Sequence, residues 1–178
     1  KEQCNASQLR ELASETKSLL RVSESVSMVR EQLQDAGTAE EDTLEKYAQK
    51  CFLDGIFLLD KNGKLVEQNP SSKEKAEELL AQVDMASLLD TLTFQEKIYN
   101  IRIERTGGGY TDIAAIGRKD RAGIIVGYYD TSAQYAQTFN NPIRYLARGY
   151  NVENGGTVVI SNAAYIVSSN DKSLIGKN

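Results

Sequence analysis

The residues with most to offer a ligand fall on two short stretches rich in tyrosine and acid. Tyr110 and Asp112 stand two apart in "YTDIAAIG", and Tyr128 and Asp130 stand two apart in "GYYD". Side chains two apart on a strand share a face, so each pair would set a ring beside a carboxylate. A carboxylate at a pocket rim accepts charge-assisted hydrogen bonds, for example from an ammonium group. Arg102 and Arg118 carry the opposite charge, and Tyr99 adds another ring. These groups bind; none pairs a nucleophile with a base. Each also has a plain reading. Asp130 before Thr131-Ser132 is a good helix N-cap, the tyrosines are strand formers, and Tyr110 with Asp112 could lie on a solvated edge.

Composition narrows the chemistry further. The 178 residues contain no histidine, which removes the commonest general base, metal ligand and pH switch. With no nucleophile motif or metal cluster in the sequence, an enzyme and a bound cofactor are not expected. The net charge of -4, without a strong run of either sign, leaves no basic footprint for nucleic acid. Cys4 and Cys51 lie outside any CxxC spacing and read as free or buried thiols. Gly107 to Gly109 lacks phosphate-loop spacing, Asp60, Asn62 and Gly63 lack the twelfth-position glutamate of a calcium loop, and Asn5-Ala6-Ser7 is a chance sequon. No stretch approaches the roughly 18 apolar residues of a membrane span, so any anchor or targeting element is expected outside these residues. Apolar residues at 40% and charged residues at 26% are enough for a packed core.

The elements that must position these groups can be read from periodicity. Residues 6 to 34 hold no Gly or Pro, and Leu9, Leu12, Leu19, Val22, Val26, Val29 and Leu33 form a stripe of one long helix. Gly37 is a C-cap, and Thr38 to Glu41 a capping box opening a helix to about Lys50. In "IFLLDKNGKLVEQNP" a buried strand, Ile56 to Leu59, meets a turn at Asp60 to Gly63 and returns through Leu65-Val66. Ser71 to Glu74 caps a helix burying Ala76, Leu79, Leu80 and Val83, and Met85 to Leu92 is a further helical piece. From Glu96 the period becomes two: Tyr99, Ile101 and Ile103 alternate with Asn100, Arg102 and Glu104. Strands over 110–116 and 123–129 complete a meander, and Pro142 to Arg148 adds a helical turn. The fold class is α+β: a long N-terminal helix on a five-stranded antiparallel sheet with helices on the other side.

The hairpin recurs. In "TVVISNAAYIVSSNDKSLIG", Val158 matches Phe57, Ile160 matches Leu59, Ser161 matches Asp60, Ile166 matches Leu65, Val167 matches Val66 and Asn170 matches Asn69, each 101 residues further on. Repetition at this distance points to a second copy of the unit. The second hairpin is expected outside the main sheet, covered by a neighbouring chain.

The long helix, "IFLLDKNGKLVEQNP", "YTDIAAIGRKDRAGIIVGYYDTS" and the repeated "VVISNAAYIVSSNDKSLIG" together resemble the double Cache domain, the PAS-like sensing module of bacterial transmembrane receptors. The resemblance implies a helical stalk over 1–52, a membrane-distal unit over 53–140, and over 141–178 a linker helix and the start of a membrane-proximal unit. It implies an extracytoplasmic receptor domain, anchored in the membrane by segments outside these residues and passing ligand occupancy to a cytoplasmic output domain. It implies a small-molecule ligand, such as an amino acid or a small organic acid or amine, and a homodimer through the N-terminal helix. Asp130 falls where amino-acid-binding members hold the ligand ammonium. The Arg-x-Trp-Tyr stretch that holds the carboxylate in those members has no counterpart here, which leaves Arg102 and Arg118 as substitutes. The other reading is a dimerisation module that binds no ligand.

Overall fold

The computed structural model describes residues 2–36, 41–69, 73–139, 156–161 and 166–177. The chain divides into two compact units, one of residues 16–133 and one of residues 1–15 and 134–178. The expected Gly37 cap, the starts of both capping boxes at Thr38 and Ser71, and the Pro142 to Arg148 turn lie outside the described residues.

The unit of residues 16–133 is built on five strands: β1 (Gly55–Leu59), β2 (Leu65–Asn69), β3 (Ile98–Glu104), β4 (Tyr110–Gly117) and β5 (Ile124–Thr131). All neighbours are antiparallel, in the order β2-β1-β5-β4-β3. The hairpin and the meander thus join edge to edge through β1 and β5, an α+β arrangement consistent with the PAS-like sheet expected. Three strands lie inside the sheet. Two of them, β1 and β4, are buried at every position, so neither alternates apolar with polar residues, and β4 buries Thr111 and Asp112 as well.

That burial has two sources, because helices cover both faces. On one face α1 (Glu2–Ala36) lays Val22, Val26, Val29 and Leu33 against Ile56, Leu58, Ala114, Ile116 and Ile125, and α2 (Glu41–Lys50) adds Leu44 and Ala48. On the other, α3 (Lys73–Leu80) and α4 (Met85–Thr93) bring Ala76, Leu79 and Leu88 onto Phe57, Leu59, Ile113, Ala115, Ile124 and Val126. The expectation of one helical layer opposite α1 is met by α3 and α4, while α2 joins α1. Each fully buried Val, Leu or Ile contributes about 1.5–3 kcal/mol relative to exposure. Asp84 caps α4 by accepting from the Ala86 N–H and the Ser87 hydroxyl, at 3.2 and 2.5 Å.

α1 comes very close to the sheet at Gly127. A Cβ there would sit 2.6 Å from Val26 Cγ1 and 2.8 Å from Leu53 Cδ1, so the strand is bare where the helix crosses it. The β1–β2 turn is ordinary turn chemistry. Asp60 Oδ1 accepts from the Asn62 and Lys64 N–H groups, and Gly63 adopts the left-handed φ of 79° that the turn requires.

The remaining unit contains α5 (Ala133–Phe139) from its second residue on, β6 (Val159–Ser161), β7 (Ile166–Ser169) and a 3-10 turn over Lys172–Leu174. The strands β6 and β7 pair with each other in a separate two-stranded sheet, as the repeat led one to expect. The two hairpins share fine detail. Each shifts register by one on its return strand, passing over Val66 in the first and Val167 in the second. Each is closed by an asparagine: the Ile56 N–H donates to Asn69 Oδ1 at 3.2 Å, and the Val158 N–H to Asn170 Oδ1 at 2.8 Å. The two asparagines and the two skipped valines are matched pairs in the sequence, whereas the donors are one position out of step, since Val158 matches Phe57.

Candidate functional site

The antiparallel register sorts the candidate residues onto two faces. Asp112 lies opposite Tyr129 and Arg102, and Tyr110 opposite Thr131, while Thr111 faces Asp130 and Ile113 faces Tyr128. Directly paired residues point to the same side of a sheet. Tyr110, Asp112 and Arg102 therefore lie on the α1 face, and Tyr128, Asp130 and Tyr99 on the α3/α4 face. One cavity on the sheet cannot gather all of them.

On the α1 face the groups satisfy one another. Asp112 is fully buried and accepts from Arg102 Nε at 2.7 Å and Nη2 at 2.9 Å. Ser18 of α1 donates to Asp112 Oδ2 at 2.5 Å, and the Arg102 guanidinium stacks 3.6 Å from the Tyr110 ring centroid. β4 is an internal strand and α1 covers it, so Tyr110 and Asp112 are not a solvated edge. Further along the same helix, Asn100 donates to Ser23 Oγ at 3.0 Å and Arg21 lies 4.0 Å over the Tyr129 ring. The result is a polar seam that sets the register of α1 on the sheet.

Arg118 stands apart, just past the end of β4. Its Nε and Nη2 hold Asp120 at 2.9 and 2.5 Å, and Arg121 reaches the same carboxylate. Hydrogen bonds from Arg118 above all hold the Asp120 pKa down to about 2. This pair ties off the β4–β5 turn.

The α3/α4 face carries the more open constellation. Asp130 lies within β5 rather than at a helix start, so the N-cap reading does not hold; α5 begins at Ala133. Its Oδ1 accepts from the Thr111 hydroxyl at 2.6 Å and forms an ion pair with Arg105. Arg105 Nε and Nη2 also donate to Thr111 Oγ1, at 3.0 and 2.7 Å. The Asp130 N–H donates to Asp54 Oδ2 at 2.7 Å, which brings a second carboxylate to the same place. Desolvation pushes the Asp54 carboxyl above its ordinary value, and the charges of Arg105 and Arg21 pull it back. Asp130 and Arg105 keep about a third of their side-chain surface open, at 32% and 34%. Two acceptors and one guanidinium, partly wet, suit a small molecule with an amine, a carboxylate or both.

Local sequence explains the placement. Arg105 opens the β3–β4 turn, where Gly107 and Gly108 take φ of 120° and 96°, values that favour glycine. A Cβ at Gly109 would meet the Thr131 carbonyl oxygen at 2.6 Å, so the turn folds tightly against the end of β5. That brings Arg105 within reach of Asp130. Tyr128 lies one alternation further along β5, 4% exposed, with its ring 6.5 Å from that of Phe57 and laid across Gly55. Tyr99 is half-buried on β3, and its hydroxyl accepts from the Asp84 N–H at 3.1 Å.

Arg105, Thr111 and Asp54 were not among the sequence candidates. The available signal was a charged residue next to a glycine turn, which marks a strand end without fixing the direction of the side chain. Among the described residues, no group of three or more His, Cys, Asp or Glu is arranged to hold a metal ion. No helix among them is long and apolar enough to cross a membrane. Cys51 is a free, buried thiol whose pKa is raised by that burial.

No protein-family model matches the chain, and no curated protein matches it. Among solved structures, an extracellular ligand binding receptor from Desulfohalobium retbaense DSM5692 aligns over 99% of this chain at 17% identity and a TM-score of 0.47. The chain spans 32% of that receptor's length. A likeness this loose assigns no function, and the reading below rests on the residues.

Proposed function

We propose that this chain is the small-molecule-sensing part of an extracytoplasmic receptor domain of the double Cache kind, anchored in the membrane by other segments of its protein. The observation that carries the reading is the half-exposed Asp130–Arg105 pair on the α3/α4 face, backed by Thr111 and Asp54. Among the described residues, the arginine–carboxylate pairs with both partners largely buried, Arg102 with Asp112 and Arg118 with Asp120, are closed to a competitor. At Asp130 a ligand amine competes with Arg105 for one acceptor, while a ligand carboxylate uses the guanidinium freed from it. Tyr128 and Tyr99 line the same face. Arg102, Tyr110 and Asp112 lie behind the sheet, and their part is to hold α1. Ligand binding would shift the population of β5 and β4 positions, and the polar seam would carry that shift to α1 and on to a cytoplasmic output domain.

The test is a thermal-shift screen of amino acids, small amines and small organic acids. Stabilisation by one class is expected, lost in Asp130→Asn and altered in Arg105→Gln. If no compound stabilises the protein, or if both variants respond as the wild type does, the site is misassigned.

A second reading, a dimerisation module, draws on the exposure of Leu9, Leu12, Leu20 and Met28 along α1. Light scattering decides it: a dimer lost in Leu12→Glu and Leu20→Glu, with no ligand response, favours this reading over sensing.

A further inference from the structure

We propose that Arg30, on the α1 face of the sheet, is the anchor of a second site that takes a small carboxylate or similar planar oxyanion. The argument begins with burial. Arg30 is 7% exposed, buried although it carries a charge. Its Nη1 donates to the Gln95 carbonyl oxygen at 2.7 Å, in the link between α4 and β3. Its Nε is buried and has no hydrogen-bond partner, and no carboxylate among the described residues forms an ion pair with it.

Among the described residues, Arg102 and Arg118 show what that edge does when it is occupied. Arg102 grips Asp112 through Nε and Nη2, and Arg118 grips Asp120 through the same two nitrogens. This is the side-on fork that matches a carboxylate. In Arg30 the Gln95 carbonyl takes the far nitrogen and leaves the buried Nε of the fork edge without a partner. A guanidinium keeps its charge throughout the physiological pH range, so it cannot escape burial by losing a proton. An uncompensated buried charge is costly, and the missing term here has the shape of a bidentate anion. The site lies on the opposite face of the sheet from Asp130, so it does not depend on the sensing proposal. Occupied, it would add a counter-charge between α1 and the α4–β3 link.

The experiment uses the wild-type protein with arginine labelled in nitrogen-15. Formate, acetate and inorganic phosphate are titrated at constant ionic strength while the Nε–Hε signals are followed. The Arg30 signal, assigned through Arg30→Lys, should move saturably at millimolar anion, while those of Arg102 and Arg118 stay still. The melting temperature should rise over the same range in the wild type and not in Arg30→Met, which retains the packed stem without the charge. A shift with formate and acetate but not phosphate identifies a planar carboxylate as the occupant; a shift with all three widens the class to oxyanions. An Arg30 signal that no anion moves would overturn the proposal, whether water or another part of the chain satisfies the group. So would an equal anion-dependent stabilisation in Arg30→Met. Should Arg30→Met fail to fold, the wild-type titration decides alone.

Discussion

Two arginine–aspartate pairs, one joining β3 to β4 and the other the β3–β4 turn to β5, differ in almost everything but chemistry. Arg102–Asp112 lies on the α1 face, with side chains 5% and 0% exposed. Arg105–Asp130 lies on the opposite face near the strand ends, at 34% and 32%. The first is fixed by α1, which both covers it and donates Ser18 to it. The second has solvent as its remaining partner. A buried pair is strongly destabilising to break, because the surviving charge cannot be rehydrated. A half-open pair is worth little to stability, because water and salt compete with it. That weakness makes it exchangeable, and exchange is what a ligand site needs.

The comparison can be broken most sharply at Asp112. Replacing it with Ala strands the Arg102 charge under α1 and should cost about 3–5 kcal/mol, measured as a drop in the urea midpoint. A loss under about 1 kcal/mol would mean that water reaches Arg102 and that the two faces are alike. Next in size is Gly127→Ala, which forces a methyl onto Val26 and Leu53. Overpacking of this kind costs about 1–3 kcal/mol, read from the melting temperature. A neutral result would show that α1 can lift from β5.

The third prediction concerns acid. Asp120 titrates at about 2, below its ordinary 3.8, because Arg118 and Arg121 stabilise its ionised form. A depressed carboxylate pKa adds stability that is fully present above the unfolded value and is lost as the pH falls through the folded one. The gap in stability between wild type and Asp120→Asn should therefore hold at neutral pH and close between about pH 4 and pH 2. A gap that persists unchanged below that window would show that the charge is not what the pair contributes. The smallest stability effect is expected at Asp130→Asn, about 1 kcal/mol or less, alongside the loss of ligand response described above.

Much of the fold was legible in the residues. The Asp60 to Gly63 turn, the alternation from Tyr99 to Glu104 and the matched hairpins all correspond to observed elements. The matched positions even carried the paired asparagines and the skipped valines. What alternation could not supply was the side. Tyr110–Asp112 and Tyr128–Asp130 look equivalent along their own strands, and only the one-residue offset in the β4–β5 register sends them to opposite faces. The full burial of β4 hid the distinction further, because a strand covered on both sides shows no amphipathic pattern. Arg105 and Asp54 escaped notice because each sits just outside a strand, where periodicity says nothing about direction. Their roles come from a glycine turn and a chain reversal, both of which need coordinates.

Gly127 and Asp130 are three residues apart on β5, and this spacing has a mechanical meaning. Hydrogen-bonded between β1 and β4, the strand resists bending along its length. The end that carries the wet carboxylate and the point where α1 touches down are thus parts of one short rigid bar. Gly127 has no side chain between the strand and Val26, so helix and strand meet there in direct contact.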